Sequence, residues 1–255
     1  MPRIPRNKLI GNYLHIIVQG INKEFIFDND KFKKYYISKF KKNLVDINIT
    51  VISYCIMDNH AHFLVYYENI KEVSKLMQRT NTSYAMFYNK IKKRVGYVFR
   101  NRFYTQTILT ESQLFNCIVY IHNNPMKAHM VKHIDEYEYS SYNEYFKEKY
   151  LITSKSKELL FGSSKDYMKI YKEMHKKCNI EDIADVKGEL NDSFEIIKLY
   201  SKKYNKDIKE IIENKKLFKG LLLDLRNLSG LSLRQMAEIF RINKDKINKI
   251  INSNP

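Results

Sequence analysis

The chain has 255 residues, of which 44% are hydrophobic, and 45 Lys and Arg against 28 Asp and Glu give a net charge of +17. This length allows one or two domains with their own cores, and only 7 Gly and 4 Pro argue against fibrous repeats and extensive disorder. The positive surplus favours a polyanionic partner such as nucleic acid, although a lysine-rich composition can also arise without a functional demand.

The first third of the chain predicts two strands of a hairpin after a strand and a helix. Residues 12–20 form a run of β-branched and aromatic residues that ends in glycine, which indicates a strand. Apolar residues recur at helical spacing over 32–44, and Asp28 is a candidate cap for this helix. Residues 47–57 and 60–67 then predict two strands joined by a short Asp-Asn turn.

A second helix and an extended segment follow. Apolar spacing predicts a helix over 72–92, and Gly96 interrupts the pattern. Residues 97–109 look extended, and a capping box opens a third helix over 110–123, which Pro125 is expected to end. The order of strands and helices predicts an α+β fold, a ferredoxin-like antiparallel sheet with flanking helices.

The remainder of the chain predicts a separate helical domain. A helix is expected over 166–177, and the acidic, polar segment 179–192 is predicted to be a linker. The chain therefore divides into an N-terminal domain at 1–178 and a C-terminal all-α domain at 193–255.

Three helices at 221–227, 233–240 and 244–251 have the spacing of a helix-turn-helix DNA-binding module. In such a module the last helix enters the major groove, which makes its polar residues candidate contacts. The alternative is a helical bundle that serves packing or protein contacts. The candidate DNA-binding residues are Lys244, Lys246, Asn248 and Lys249.

Two histidines at the start of a predicted strand are the first candidate chemical feature. His60 and His62 flank Ala61, so strand alternation places both imidazoles on one face of the sheet. Two neutral imidazoles can hold a divalent ion, whereas an ordinary pair of surface or hydrogen-bonded histidines is the other interpretation.

A tyrosine near the end of the third predicted helix is the second feature. Tyr120 and Asn124 are four residues apart and share one helix face. A tyrosine hydroxyl, with an ordinary pKa near ~10, is a poor nucleophile at neutral pH, but a metal ion that polarises a phosphate compensates. The Asn124 amide oxygen could complete the metal shell, and the alternative for Tyr120 is a packed helix residue.

The sequence resembles the small HUH tyrosine transposases of bacterial insertion sequences, especially their REP-associated tyrosine transposase branch. The resemblance covers about residues 1 to 178. It rests on Tyr13–Gly20, Tyr54–Val65, Gly96 with Phe99, Arg102 and Phe103, Tyr120–Pro125 followed by Ala128 and Val131, and Tyr139–Tyr142.

The resemblance implies a role for each matching residue. His60 and His62 would be the metal ligands, Tyr120 the nucleophile, and Asn124 the third ligand in place of a glutamine. Two departures are the small Ala61 between the histidines, and Tyr139 where the family commonly has tryptophan. His15 and His122 also lie in family blocks, but we interpret them as hydrogen-bonded packing residues.

The implied reaction is cleavage of single-stranded DNA beside a hairpin through a 5′-phosphotyrosine, with strand transfer by the released 3′-hydroxyl. Mg²⁺ or Mn²⁺ is the expected ion because the task is to neutralise phosphate oxygens. The implied partner is single-stranded DNA with hairpins, with duplex DNA as a second partner of the C-terminal domain. The protein would act as a monomer or homodimer.

Basic and aromatic residues alternate over 90–104, which suits single-stranded DNA because cations can follow phosphates while rings stack on bases. The alternative is that the rings belong to the core and the cations only face solvent. The candidate contacts are Lys92, Lys93, Arg94, Arg100 and Arg102.

Two other function classes fit parts of the sequence. A DNA-binding regulator derived from a transposase would use only the C-terminal module, and an RNA-binding protein would use exposed aromatics on a sheet of this topology. No apolar run approaches the roughly 18 residues of a membrane span, and the start of the sequence has no signal-peptide core. Cys55, Cys117 and Cys178 form no CxxC pair and predict neither disulfides nor a zinc site, so we expect a cytoplasmic protein.

Overall fold

The structure is a computed structural model that describes residues 11–147, 149–177, 191–228 and 231–253. Its strands are β1 Tyr13–Gln19, β2 Ile49–Ile56, β3 His60–Tyr67 and β4 Tyr104–Ile108. Its α-helices are α1 Asp30–Leu44, α2 Ile70–Lys92, α3 Glu111–Lys127, α4 Ser154–Phe161, α5 Tyr167–Lys177, α6 Asn191–Tyr204, α7 Ile208–Glu213, α8 Lys215–Leu228, α9 Leu233–Phe240 and α10 Lys244–Asn252.

The four strands form one sheet in the order β2-β3-β1-β4, and all neighbours are antiparallel. Strand β3 therefore lies between β1 and β2, and β1 lies between β3 and β4. This is the order of the ferredoxin-like sheet, so the predicted fold class is confirmed for the N-terminal part of the chain.

The two faces of the sheet pack against different helices. On one face, Phe63 of β3 stacks on Phe40 of α1, with ring centroids 4.3 Å apart. Strand alternation turns the two neighbours of Phe63 along β3, His62 and Leu64, to the opposite face. Helix α3 packs on that opposite face and contacts β2 and β3, so α3 covers the histidine side of the sheet.

A second core belongs to the C-terminal helices. Buried residues between Ile196 and Ile251 form a cluster of their own, to which α6, α8, α9 and α10 all contribute. Two of the three helices predicted for the helix-turn-helix have nearly the predicted bounds, and α8 is longer at its start, beginning at Lys215. The all-α prediction is confirmed for the described residues of this region. No helix in the described ranges is long and apolar enough to cross a bilayer.

The structure corrects the predicted end of the third helix. Pro125 lies inside α3, which continues to Lys127. A proline removes one backbone donor, but only a short stretch of helix follows it. There the Ala128 N–H donates to the Asn124 carbonyl at 3.0 Å, so the helix closes normally.

Four further details differ from the prediction. Asn29, not Asp28, caps α1 by accepting a hydrogen bond from the Phe32 N–H. The segment predicted as extended is a strand only over β4, and α4 forms where the sequence analysis predicts no helix. The predicted linker lies mostly outside the described residues, and α6 already includes Asn191 and Asp192.

Candidate active site

The two histidines of the HxH motif lie side by side on the α3 face of the sheet. His62 is opposite Ile17 of β1 and Cys55 of β2, so it is held on a central strand from both sides. His60 is opposite Gln19, at the start of β3. The two imidazole centroids are 4.8 Å apart, close enough for both rings to serve one ion.

Hydrogen bonds leave one nitrogen of His62 without a partner. Its Nδ1 lies 2.9 Å from Nε2 of His15, which stands on the neighbouring strand β1. Its Nε2 is buried and has no hydrogen-bond partner among the described residues. A buried polar atom without a partner is costly, whereas a metal-ligating imidazole characteristically uses its second nitrogen to hold a supporting hydrogen bond. The donor set therefore fits a metal ion.

His60 has a comparable support. Its Nδ1 is hydrogen-bonded to the Asn59 side-chain oxygen, and since that oxygen can only accept, the proton sits on Nδ1. The Nε2 atom is then a lone-pair donor. Both histidines of the motif are consequently oriented by neighbours that leave Nε2 for a ligand.

Burial keeps these imidazoles neutral. It lowers the pKa of His60, and it lowers the pKa of His62 well below the ordinary value, with His15 and His60 adding to the effect. It also lowers the pKa of His15 to about 4. Neutral imidazole is the form that binds metals, so the site needs no deprotonation near neutral pH.

Tyr120 of α3 packs directly against this histidine cluster. Its ring centroid is 5.6 Å from that of His62 and 6.0 Å from that of His15, both in edge-on geometry. The tyrosine is half-buried, so its ring is held by packing while part of it reaches the surface. Lys127, about two turns further along α3, places its Nζ 5.4 Å from the centre of the same ring.

Asn124 lies one helical turn beyond Tyr120 and is half-buried. Its Nδ2 donates to the Tyr120 carbonyl at 2.8 Å, which leaves the amide oxygen to face elsewhere. None of the described hydrogen bonds joins Asn124 to His60 or His62. Among the described residues no group of three His, Cys, Asp or Glu could hold a metal, and an amide as third donor would fall outside those types.

The basic residues predicted to contact single-stranded DNA divide into two groups. Lys92 forms an ion pair with Asp28 at 2.7 Å, and Arg94 forms one with Glu24. Lys93, Arg100 and Arg102 are exposed, and the structure gives them no ion pair within the described ranges. The second group therefore keeps its full charge for a polyanion.

Arg100 and Arg102 line a cleft of about 790 Å³ between α2 and the segment before β4. Gln78, Asn101 and the exposed ring of Tyr97 also line it, and its lining contains no carboxylate. The Arg100 N–H donates to the Gln19 carbonyl at 2.9 Å. Because Gln19 is opposite His60, this cleft adjoins the end of the sheet that carries the histidines.

In the C-terminal helices, Ile247 and Ile251 of α10 face the core. The predicted DNA contacts on that helix, Lys244, Lys246, Asn248 and Lys249, are all exposed. Asn248 also accepts a hydrogen bond from Asn252 at 2.9 Å.

The sequence interpretation missed two neighbours of the histidine pair. It treated His15 as a packing residue, and the structure does show a buried, hydrogen-bonded side chain. Its partner, however, is His62 itself. Asn59 was assigned only to a turn, although its position directly before His60 was the available signal for a side-chain contact.

The comparisons with known proteins agree with a ferredoxin-like domain that carries paired histidines beside a helical tyrosine. A family model described as "Transposase IS200 like" matches residues 9–124. This part of the chain is therefore similar to the IS200-like transposases, in line with the resemblance seen in the sequence. The match ends at Asn124, so it includes both histidines and Tyr120.

Among solved structures, that of a REP-associated tyrosine transposase bound to a REP hairpin is similar to this chain. The two share 14% identity over 56% of this chain and 84% of the other, with a TM-score of 0.48. No curated protein matches the chain.

Proposed function

We propose that this protein is a metal-dependent endonuclease and strand transferase for single-stranded DNA. The observation that carries the proposal is the packing of the Tyr120 ring 5.6 Å from the ring of His62, whose buried Nε2 has no partner among the described residues. The proposed nucleophile and a candidate metal ligand are thus neighbours on one face of the sheet.

In the proposed reaction, the Tyr120 oxygen attacks a phosphorus atom of the DNA backbone. The new bond is a 5′-phosphotyrosine, and the bond that breaks releases a 3′-hydroxyl. Attack by a 3′-hydroxyl on the phosphotyrosine reverses the exchange at the same or a new junction, so the number of phosphodiester bonds is conserved.

His60, His62 and Asn124 are the residues that would hold the ion, which we expect to be Mg²⁺ or Mn²⁺. Two imidazoles and an amide are a softer ligand set than an all-oxygen shell. When bound, the ion would neutralise phosphate oxygens as charge develops. The chain's own residues orient the reactants: His15 and Asn59 fix the two imidazoles, and Lys127 places a positive charge beside the Tyr120 ring.

The substrate we propose is single-stranded DNA that carries a hairpin. The cleft with Arg100 and Arg102 would take the unpaired strand, because its cations can meet phosphates and its exposed ring at Tyr97 can stack on a base. The exposed polar residues of α10 would bind duplex DNA through the C-terminal domain. The cleavage assay described next, repeated at different protein concentrations, would show whether one subunit or a homodimer assembles the site.

Incubation of the full chain with a 5′-labelled or 3′-labelled hairpin oligonucleotide and Mn²⁺ tests the proposal. We expect a covalent protein-DNA adduct on denaturing gels with the label on the 3′ side of the cut, and its loss in Tyr120→Phe. Tyr35→Phe is the matched control, because Tyr35 is a half-buried tyrosine of α1 whose ring stacks on Phe87 and not on the histidines. Adduct formation by Tyr120→Phe would contradict the assignment of the nucleophile.

The same assay separates the two alternative functions. Binding of duplex DNA without any adduct would support a transposase-derived regulator. Preference for RNA over DNA oligonucleotides, again without an adduct, would support an RNA-binding protein.

A further inference from the structure

A chain of buried hydrogen bonds involves His122, which follows Tyr120 by two residues on α3. The Tyr54 N–H of β2 donates to the Ser141 hydroxyl oxygen at 2.8 Å, and that hydroxyl lies 2.7 Å from Nε2 of His122. His122 Nδ1 is 2.8 Å from Nε2 of His175 on α5. We call Ser141, His122 and His175 the relay.

The protons of the relay can be assigned in one direction only, if both imidazoles are neutral. His175 Nδ1 lies 2.8 Å from the Tyr171 carbonyl, which can only accept, so Nδ1 carries the proton. The Nε2 of His175 must then accept from His122 Nδ1–H. His122 Nε2 is in turn left to accept from the Ser141 hydroxyl.

The relay joins elements that are distant in sequence. His122 and Ser141 are fully buried, and 53 residues separate His122 from His175. The relay thereby ties α3 to β2 through Ser141 and to α5 through His175. Directional bonds of this kind fix both the position and the rotation of a helix, which apolar packing alone specifies less sharply.

One relay residue, His122, is close to Tyr120 in sequence, but the relay has no part in the proposed reaction. His122 is two residues after Tyr120, and none of the described hydrogen bonds joins a relay residue to His60, His62 or Tyr120. A rotation of α3 by one residue would carry Tyr120 away from His62. We infer that the relay is a positioning device that holds the Tyr120-bearing face of α3 against the histidine pair; this inference rests on the proposed function.

The relay also gives a physical reason for two features of the sequence. The histidine after Ile121 meets the second serine of the Tyr139–Tyr142 segment, so these blocks form one structural unit.

A displacement of about 1 Å at a reacting group can lower a rate by on the order of a hundredfold. Loss of one relay bond is therefore expected to slow adduct formation by roughly ten- to a hundredfold.

The test compares two variants at the partly exposed end of the relay. His175→Gln keeps an acceptor where Nε2 stood, whereas His175→Leu removes it. We expect His175→Leu to slow single-turnover adduct formation with an unchanged Kd for the hairpin oligonucleotide, and His175→Gln to restore most of the rate. Leu160→Ala on α4 is the control, since Leu160 is partly buried against the same core and outside the relay.

Hydrogen exchange of peptides from 115–127 supplies a readout that does not depend on activity. We expect faster exchange there in His175→Leu than in the wild type, and no such change in Leu160→Ala at a matched loss of Tm. Equal rates of α3 exchange in His175→Leu and the wild type would overturn the inference, even if the protein formed no adduct. An adduct rate unaffected by His175→Leu would also overturn the inference but would leave the proposed function in place. A wild-type chain that forms no adduct would overturn the proposed function instead.

Discussion

Acidification is expected to destabilise the N-terminal domain through His175. This side chain is mostly buried on α5, and burial lowers its pKa from 6.5 to about 4, an effect that its bond to the Tyr171 carbonyl opposes. In the unfolded chain the same imidazole titrates near its ordinary value of about 6.5. Between these two values the unfolded state binds more protons, so the free energy of unfolding falls as pH falls.

The size of the effect follows from the two pKa values. Above about pH 7 the imidazole is neutral in both states and contributes almost nothing. At pH 5 the linkage relation gives a loss of about 2 kcal/mol, and at pH 4 about 3 kcal/mol, beyond which it levels off. This loss is a large part of the stability of an ordinary domain.

The assay is urea unfolding of the wild type and of His175→Gln at pH 7.5 and pH 5. Glutamine does not titrate, so every other titrating group cancels to first order in the comparison. We expect the wild type to lose about 2 kcal/mol more than the variant over this interval. Parallel losses in the two proteins would show that His175 is not held neutral by burial, and the reasoning would be refuted.

Three other perturbations have expected outcomes. Gly20→Ala should lower the Tm, because a Cβ there would overlap the Glu24 carbonyl oxygen at the end of β1; an unchanged Tm would contradict this. Glu144→Gln should lower the free energy of unfolding by about 2 kcal/mol in urea titrations, since the buried carboxylate accepts from two backbone N–H groups and a tyrosine hydroxyl. Arg100→Gln and Arg102→Gln should each reduce the salt dependence of single-stranded DNA binding by about 0.7 in log-log slope, and an unchanged slope would remove that residue from the interface.

The sequence was sufficient to predict the four-stranded sheet, because the residue patterns that indicate its strands and helices are local. β-Branched runs, a two-residue turn between β2 and β3, and helices with apolar stripes determine the order of elements, and the ferredoxin-like arrangement follows from that order. The start of α3 was equally readable, since the Thr110 side chain accepts from the Gln113 N–H as the capping box predicts.

The errors occurred where a local rule competes with packing. Proline usually ends a helix, but α3 continues past Pro125 because only the last few residues of the helix follow it. Helix α4 has only 8 residues and a weak apolar stripe, so its formation depends on contacts with β2 that no sequence window contains.

The sequence predicted only some of the side-chain contacts within the candidate site. Alternation along β3 places His60 and His62 on one face without further information. That His15 supports His62 depends on the register of β1 against β3, in which His15 is opposite Leu64 and His62 is opposite Ile17. Register between strands 47 residues apart is a tertiary property, so the pair could not be read from spacing alone.

The histidines of the site and of the relay illustrate two uses of a buried imidazole. In the relay, both nitrogens of His122 have hydrogen-bond partners, so the ring connects Ser141 to His175 of α5. At the sheet, His62 has a partner on Nδ1 only, and its second buried nitrogen has none among the described residues. A ligand on that nitrogen would compensate its desolvation. The contrast supports the proposal that His62, and not the equally buried His122, is the imidazole that binds a ligand.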